Sequence, residues 1–498
     1  MKTNKIIIGL LAIGTLFTGC AEDFLESKST EYATEEVIND FARQDAEAAM
    51  GPLMEGVYSK LFEYRDSHDD FGLRAIMMAS DVMTDDIALA TSNWFIYDNQ
   101  NMNKTQNYRR TRSTWGYTYE AIRGCNQVIV GLSGIEEADL TDAAKDLLGQ
   151  AYAVRGMLYF NLINFYQLPY ETAKDKPGVP IYTHEEELQG REPVSKVYDL
   201  IINDLETGYA YLEGLGMDQT KMNEYAAAGI LARVLAFKTD HPNQWDEVAK
   251  YAAIAGSVGM MSSEELAAFR FNSINNKEVL FGAPIDGQTT TFYASFMSHM
   301  DPWGPGYAGA LGCYKMIADD LYAEMSDSDV RKAWFAAEDT YVNPENKEES
   351  RVISKYTQIK KFVDVGGFQS DYIYLRASEF VLLEAEARYL SGDQSSARTL
   401  LNKLLANRYT DEYQSSNSGQ ALLDEIYFQK RVECWGEGVR LFDIKRRNET
   451  MDRNGTENHH SSAMVIPTIK GFDEQYIFQI PLVELDANTE IGPGDQNP

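Results

Sequence analysis

Cysteine, clustered positive charge and long apolar runs are all scarce in this chain of 498 residues. Only four cysteines occur, and Cys125, Cys313 and Cys434 lie far apart with no C-x-x-C pair, so a disulfide framework is not indicated. We expect these three thiols to behave as small buried hydrophobes. After the first twenty residues no apolar run is long enough to cross a bilayer, so any membrane attachment is expected at the N-terminus.

The shortage of positive charge limits the class of partner. Forty-five Lys and Arg face seventy-six Asp and Glu, a formal charge of −31. Nucleic-acid binding needs clustered cations, and an anionic membrane surface would repel this chain. The hydrophobic content of 44% and aromatic content of 12% nevertheless support a full core. The composition therefore favours a folded protein that binds a neutral or cationic ligand and no nucleic acid.

Motifs for catalysis, phosphate binding and metal binding are also missing. The sequence contains no Gly-rich phosphate loop, nucleophile elbow or zinc-helix motif. His459-His460 and the run from Asp327 to Asp329 are too short for metal-ligand spacing. We therefore predict no metal, no cofactor and no enzyme activity. Two alternatives stay open: a glycoside hydrolase, which needs two carboxylates across a cleft, and a helical-repeat scaffold that binds proteins through its concave face.

The N-terminus has the three parts of a secretory signal. Met1–Lys5 is positive, Ile6–Phe17 is apolar, and Cys20 follows Thr18-Gly19 where cleavage is expected. A cysteine after a small residue at this place resembles a lipobox, although Phe17 stands where leucine is usual. We predict a signal peptide over residues 1–19, lipidation of Cys20, and a flexible tether over residues 20–35.

From about Glu36 onward helical periodicity dominates, and the helices come in pairs. In the second and third pairs the first helix carries small residues, which let a partner approach closely. Antiparallel pairs of this kind are typical of tetratricopeptide-like repeats. The fold class predicted for residues 36–498 is therefore all-α, a single mostly helical domain with little β structure. The predicted pairs are Leu147–Tyr166 with Ser195–Leu212, Asn223–Lys238 with Gln244–Ser257, and Tyr374–Leu390 with Gln394–Asn407.

Two long stretches, at about residues 81–112 and 272–312, lack helical periodicity and are rich in aromatic residues. Long irregular loops in a compact protein are usually functional or disordered, and the aromatic content argues against disorder. A sugar site needs exposed aromatic faces flanked by amides or carboxylates. For each aromatic residue the alternative is packing against the helical scaffold. The candidate ligand-binding residues are Asp81, Asn93, Trp94, Tyr97, Tyr293, Trp303 and Tyr307.

Five segments in order resemble the SusD/RagB family of outer-membrane nutrient-binding lipoproteins. The most specific is Lys430–Asp443, whose letters are KRVECWGEGVRLFD. Departures are Cys434, where a plain hydrophobe is usual, and an end at Pro498 without the usual Gly-Tyr. The other four segments are Cys20–Glu26, Ala153–Leu162, Tyr374–Ala387 with Leu401-Asn402, and Ile480-Pro481 through Pro498.

The resemblance implies a surface protein that captures oligosaccharides, or in some branches peptides, and acts as a lid over a SusC-like TonB-dependent transporter. Glu22 and Asp23 resemble the surface-export signal of such lipoproteins. By loop position alone, the resemblance implies that Trp94 and Trp303 contact the glycan. The charged motif itself is interpreted structurally, because its opposite charges at three- and four-residue spacing are typical of salt bridges. Gly436 and Gly438 would allow the turn between two helices.

Overall fold

The computed structural model describes residues 41–184, 188–342, 350–454, 456–459 and 466–498. The predicted signal peptide, Cys20, Glu22, Asp23 and the predicted tether lie outside the described residues. Most of the described elements are helices. They are α1 (Ala46–Lys60), α2 (Leu73–Val82), α3 (Ile96–Asn99), α4 (Arg109–Leu132), α5 (Asp142–Tyr166), α6 (Tyr170–Ala173), α7 (Val194–Leu212), α8 (Glu224–Phe237), α9 (Gln244–Gly256), α10 (Ser263–Ala268), α11 (Phe296–Met300), α12 (Tyr307–Leu311), α13 (Asp319–Glu324), α14 (Ala377–Leu390), α15 (Gln394–Leu405), α16 (Gln420–Glu433), α17 (Arg440–Arg447) and α18 (Leu482–Ala487).

The β structure is confined to short antiparallel pairs. The strands are β1 (Ile87–Leu89), β2 (Val279–Ala283), β3 (Lys315–Ile317), β4 (Thr340–Val342), β5 (Ser350–Val352), β6 (Tyr372–Arg376), β7 (Thr450–Asp452) and β8 (Thr468–Lys470). They pair as β1 with β3, β2 with β6, β4 with β5 and β7 with β8. The register of the first pair places Ile87 opposite Ile317. The prediction of a mostly helical fold with little β structure is confirmed.

The long helices form a continuous array. Each packs on the next, in the order α4, α5, α7, α8, α9, α14, α15, with α16 also against α14 and α1 across α4 and α5. The predicted pairs are therefore confirmed. Small residues permit the close contacts: a Cβ on Gly229 of α8 would lie 2.6 Å from the ring of Phe380 on α14. The helix α5 begins where the Thr141 side chain accepts a hydrogen bond from the Ala144 amide.

Two boundaries differ from the sequence prediction. Tyr374 does not begin a helix, because residues 372–376 form the buried strand β6 along β2, and α14 begins at Ala377. Neither predicted loop stretch is continuous, since residues 272–312 contain β2, α11 and α12, and residues 81–112 contain β1 and α3 and reach into a helix at each end. Asp81 lies in α2, and Arg112 lies in the first turn of α4.

The charged motif at residues 430–443 forms buried ion pairs around two turns. The guanidinium of Arg376 contacts carboxylate oxygens of Glu278 at 2.7 Å, Glu433 at 3.1 Å and Glu437 at 2.7 Å. Gly436 and Gly438, between α16 and α17, have φ of 76° and 78°, a region that favours glycine. The motif does form ion pairs, but Glu433 and Glu437 pair with cations of other segments and not with motif residues three or four positions away.

The apolar core runs along the inner faces of the helical array. Cys125, Cys313 and Cys434 are buried and form no disulfide, which confirms the expectation for these thiols. Among the described residues, no helix combines the length and apolar character that a bilayer span requires. The segments that follow α1, β1 and β2 carry the exposed aromatic residues Tyr64, Tyr97, Phe292 and Tyr293.

Candidate functional site

The two aromatic stretches predicted from the sequence meet in the fold. The ring centroids of Trp94 and Tyr307 lie 6.1 Å apart, with an angle of 80° between their planes. A third segment, which follows α1, joins them. Nδ1 of His68 lies 2.6 Å from the Tyr307 hydroxyl, and the His68 ring stacks on Trp94 at 5.4 Å. Three segments distant in sequence therefore build one aromatic surface.

Part of this surface, the aromatic strip, is a row of five rings and one arginine in which each side chain contacts the next. Tyr307 lies beside the strip, against His68 and Trp94. The Tyr64 ring meets the edge of His68 at 6.3 Å. The Arg109 guanidinium carbon lies 5.2 Å from the Trp94 ring centroid and 4.8 Å from that of Tyr108. The Tyr97 and Tyr108 rings meet at 5.5 Å. In order, the members are Tyr64, His68, Trp94, Arg109, Tyr108 and Tyr97.

Both ends of the strip are open to solvent. Tyr64 is 40% exposed and Tyr97 is 42% exposed, while the four members between them are half-buried. Exposed rings at the two ends and half-buried rings between them form one continuous row at the surface. Their ring faces suit the C–H faces of sugars, and their hydroxyl and imidazole groups suit sugar hydroxyls.

A buried ionic layer holds the strip from below. Arg109 donates from Nε to both carboxylate oxygens of Asp69, at 2.9 and 3.0 Å. Arg110 donates to the same carboxylate at 3.0 Å and to Asp98 at 3.1 Å. Burial opposes ionisation of Asp69, but Arg110 and Arg109 lower the pKa of its carboxyl below the ordinary value. The Arg109 guanidinium is therefore fixed between the two aromatic rings that it touches.

A second stacked pair lies behind Tyr307. The rings of Tyr307 and His299 are 4.8 Å apart and 5° from parallel. His299 is buried, and its Nε2 lies 2.7 Å from the His68 carbonyl oxygen. Burial lowers the pKa of His299 to about 3, so this imidazole is neutral at physiological pH. It serves as a rigid support for Tyr307.

Trp303 lies beside a separate cavity of about 220 Å³. The indole Nε1 donates to the Ile359 carbonyl at 2.8 Å, and the ring packs against Ile353 and Ile359. Asp301 accepts hydrogen bonds from the amides of Trp303 and Asp364, which joins two loops at the cavity wall. Burial raises the pKa of Asp301 to about 6. The cavity is lined by Arg270, Asp301, Trp303, Gly304, Pro305, Ile359, Lys360, Val363, Asp364, Gly366 and Gly367.

Tyr293 and Asn93, which were also predicted to bind the ligand, are not members of the strip. Tyr293 is 51% exposed, and its ring contacts Phe368 at 5.6 Å, so it belongs to neither the strip nor the Trp303 cavity. Asn93 shapes the loop: its side-chain oxygen accepts from the Trp94 amide, and its amide group donates to the Cys313 sulfur.

The expectation that Asp81 lies in an open loop is wrong. Asp81 is 2% exposed, and its Oδ2 accepts a hydrogen bond from the Gly438 amide at 2.7 Å. Its neighbours Asp85 and Asp86 pair with Arg440 and Arg431. These carboxylates are buried because α2 turns inward against the charged motif. None of the three presents an open carboxylate to a surface ligand.

Sequence reasoning missed Tyr64, His68, Tyr108 and Arg109. Tyr64 and His68 lie in a segment crowded with charged residues, and their contact with Trp94 depends on tertiary packing. A partial signal existed at residues 108–109, where an aromatic residue directly precedes a cation inside the aromatic-rich stretch of residues 81–112.

Comparisons with known proteins agree on one family. The family model described as "Starch-binding associating with outer membrane" matches residues 23–235, and the model described as "SusD family" matches residues 286–498. A SusD-like protein of Formosa agariphila is 23% identical over 387 residues, which are 69% of this chain and 74% of that protein.

Solved structures share the fold. A SusD-like carbohydrate binding protein from Bacteroides vulgatus has a TM-score of 0.77 and 24% identity, over 91% of this chain and 98% of that one. A SusD superfamily protein from Bacteroides thetaiotaomicron has a TM-score of 0.74 and 20% identity, over 91% and 99% of the two chains.

Proposed function

Because the chain belongs to the SusD/RagB family, we propose that it binds carbohydrate at the outer face of the outer membrane, with the aromatic strip as its main contact surface. The observation that supports this proposal is that Trp94 and His68 of the strip meet Tyr307, so that three segments distant in sequence form one surface. A row of aromatic rings with exposed ends suits a chain of sugars better than one small molecule. The carbohydrate-binding relative from Bacteroides vulgatus has the same fold.

The proposed role is capture and delivery. We assign Cys20 as the lipid anchor, the segment after it as the tether, and a SusC-like TonB-dependent transporter as the partner that receives the glycan. The family model's description, which associates its members with the outer membrane, supports this location. The net charge of −31 disfavours electrostatic attachment to an anionic membrane surface, so the lipid has the anchoring role.

The strip favours binding of a glycan without its cleavage. A glycosidase needs two carboxylates that flank the scissile bond, one of them able to donate a proton. The carboxylates directly beneath the strip, Asp69 and Asp98, are buried and paired with Arg110. Both are engaged in these ion pairs, and Asp69 also accepts from Arg109 of the strip.

The test is a binding screen of the soluble form that starts after Cys20. Plant, host and microbial polysaccharides and peptides are compared by affinity electrophoresis and calorimetry. We expect retardation by at least one glycan, recovery of that glycan intact, and about tenfold weaker binding by Trp94→Ala, which loses roughly 1.4 kcal/mol of ring contact.

A matched control is Trp245→Ala, because Trp245 is also half-buried but lies on α9 near Arg446, outside the strip. Equal losses in the two variants would contradict the assignment of the strip. Binding to peptides alone would favour the peptide-capturing branch of the family, and shortened glycan products would favour a hydrolase.

A further inference from the structure

A second cavity lies farther along α4, beyond the end of the helix that the aromatic strip contacts. Its volume is about 460 Å³, and it is lined by Tyr119, Ile122, Arg123, Asn126, Tyr182, His184 and Glu484. These residues come from the middle of α4, the segment before α7, and α18. None of them belongs to the strip or to the Trp303 cavity.

The position of this cavity relative to the strip follows from helix geometry. Tyr108 is the residue before α4, and Tyr119 is eleven residues later, which is about three turns and roughly 16 Å of rise. The two tyrosines therefore start from nearly the same side of the helix. Trp115 lies between them, and its ring contacts Tyr119 at 4.9 Å.

The N-terminus of α18 joins the two regions at the surface. The Leu482 amide donates to the Gln106 carbonyl at 3.1 Å, two residues before Tyr108. Leu482 and Val483 are exposed, and Glu484, the next residue, lines the cavity. Exposed apolar side chains thus lie on the path from the Tyr108 end of the strip to the cavity.

Two polar groups of the cavity, the Glu484 carboxylate and the Tyr182 hydroxyl, are held in place and can form further hydrogen bonds. Glu484 accepts hydrogen bonds from Trp115 Nε1 at 3.1 Å and from the Asn488 side chain at 2.8 Å. A carboxylate has about four acceptor positions, so it can accept further donors. The Tyr182 hydroxyl accepts from the Gln189 amide and the Asn488 side chain, which leaves its own proton to donate.

The walls suit a sugar ring. The Tyr119 and Tyr182 rings meet edge to face at 5.7 Å, and the Tyr119 hydroxyl donates to the Pro180 carbonyl. The Asn126 side chain donates to the Tyr182 carbonyl at 3.0 Å, which fixes the loop that carries Tyr182. Apolar ring surface beside one acceptor and one donor is the combination that a pyranose with its hydroxyls requires.

We propose that the cavity between Tyr119, Tyr182 and Glu484 is a second carbohydrate subsite, and that one long glycan spans it and the aromatic strip together. This inference rests on the proposed carbohydrate-binding function. Two linked contacts raise the affinity for chains long enough to reach both, because the second contact forms at high effective concentration. The protein therefore selects long chains over short ones.

The experiment compares the trisaccharide and the decasaccharide of the glycan bound in the screen, by calorimetry on the full soluble chain. We expect the wild type to bind the decasaccharide at least about tenfold more tightly. Glu484→Gln and His184→Ala should remove most of that advantage and leave trisaccharide affinity unchanged. The control Asp486→Asn makes the same change of charge as Glu484→Gln at an exposed position of α18 outside the cavity.

The outcomes separate the two proposals. If no glycan binds to the wild type, both the proposed function and this subsite are rejected. If the glycan binds but the decasaccharide has no advantage, or either cavity variant retains that advantage, only the subsite is rejected. Thermal midpoints are measured for all variants to check that each is folded. His184→Ala, at an exposed position, tests the cavity without disturbing the hydrogen bond between Trp115 and Glu484.

Discussion

The hydroxyl of Tyr307 and Nδ1 of His68 are 2.6 Å apart, so one hydrogen bond joins the start of α12 to the segment that follows α1. The same two rings meet at 5.7 Å, with 67° between their planes. Because His68 also stacks on Trp94, this bond holds the second member of the aromatic strip against the third. The order of the strip before it meets a ligand therefore depends on a contact between two side chains.

Replacing Tyr307 with phenylalanine removes that hydrogen bond and keeps the ring. We expect Tyr307→Phe to weaken glycan binding by about fivefold, since one net hydrogen bond contributes about 1 kcal/mol. The thermal midpoint should change little, because stacking on His299 is retained. Calorimetry measures the glycan affinity of both the variant and the wild type. Tyr413→Phe is the matched control, as Tyr413 is an exposed tyrosine bonded to Glu425 far along the chain, and unchanged affinity in Tyr307→Phe would contradict the prediction.

Trp303 should affect stability as well as binding. Its indole donates to Ile359 and packs on the small cluster of Ala336, Ile353 and Ile359. We expect Trp303→Ala to lower the free energy of unfolding by about 2 kcal/mol and to weaken glycan binding. Trp303→Phe should retain most of the stability. Denaturant unfolding and calorimetry on the same samples separate the two effects, and an alanine variant as stable as wild type would show that the packing contributes little.

The pH dependence of stability should contain a contribution from Asp81. Burial raises the pKa of Asp81 to about 7, above the roughly 3.9 of an unfolded aspartate. The folded protein thus binds this proton more tightly than the unfolded chain. The stability that results is fully present below the unfolded pKa and is lost as pH rises through the folded pKa.

Asparagine does not ionise, so Asp81→Asn removes this loss of stability at rising pH. We expect the stability of the variant relative to wild type to increase by ~2–4 kcal/mol between about pH 4 and pH 8. Urea unfolding across that range gives the difference. Asp139→Asn, at an exposed position, should show no such trend, and a difference for Asp81→Asn that is constant with pH would refute the assignment.

The sequence predicted the helical pairs because their apolar positions repeat at helical spacing over more than ten residues. It failed at residues 374–376, predicted as the start of a helix, where tyrosine and leucine fit either a helix or a strand and only the pairing with Val279–Ala283 decides. For the site, the aromatic loops were recognisable from composition. His68 was not, because its neighbours are charged and its contact with Trp94 is tertiary. Asp81 was misplaced because charged residues are usually exposed, whereas the Gly438 amide and the turn of α2 hold this one inside.

The ion pairs of Arg376 are expected to contribute strongly to the free energy of unfolding. Arg376 is buried and contacts Glu278, Glu433 and Glu437, so Arg376→Met leaves these carboxylates without one of their cations. We expect a loss of about 3–5 kcal/mol in the free energy of unfolding. Lys196→Met, which breaks an exposed pair with Glu192, should cost no more than about 1 kcal/mol. Comparable losses in the two variants would mean that the buried network contributes no more than a surface pair.

Two glycines should respond to alanine in opposite directions. Gly438 has φ of 78°, and a Cβ there would lie 2.6 Å from Cβ of Met77. Gly438→Ala therefore combines backbone strain with a clash, and we expect a loss of about 3 kcal/mol or more. Gly56 lies inside α1 with no atom within 4 Å of an added Cβ, so Gly56→Ala should gain about 0.5–1 kcal/mol from helix propensity. Thermal unfolding of the two variants side by side measures this difference. Gly438 lies in the turn that contacts α2, and its amide donates to Asp81. If alanine is tolerated at this position, the contact between the charged motif and α2 is looser than that hydrogen bond implies.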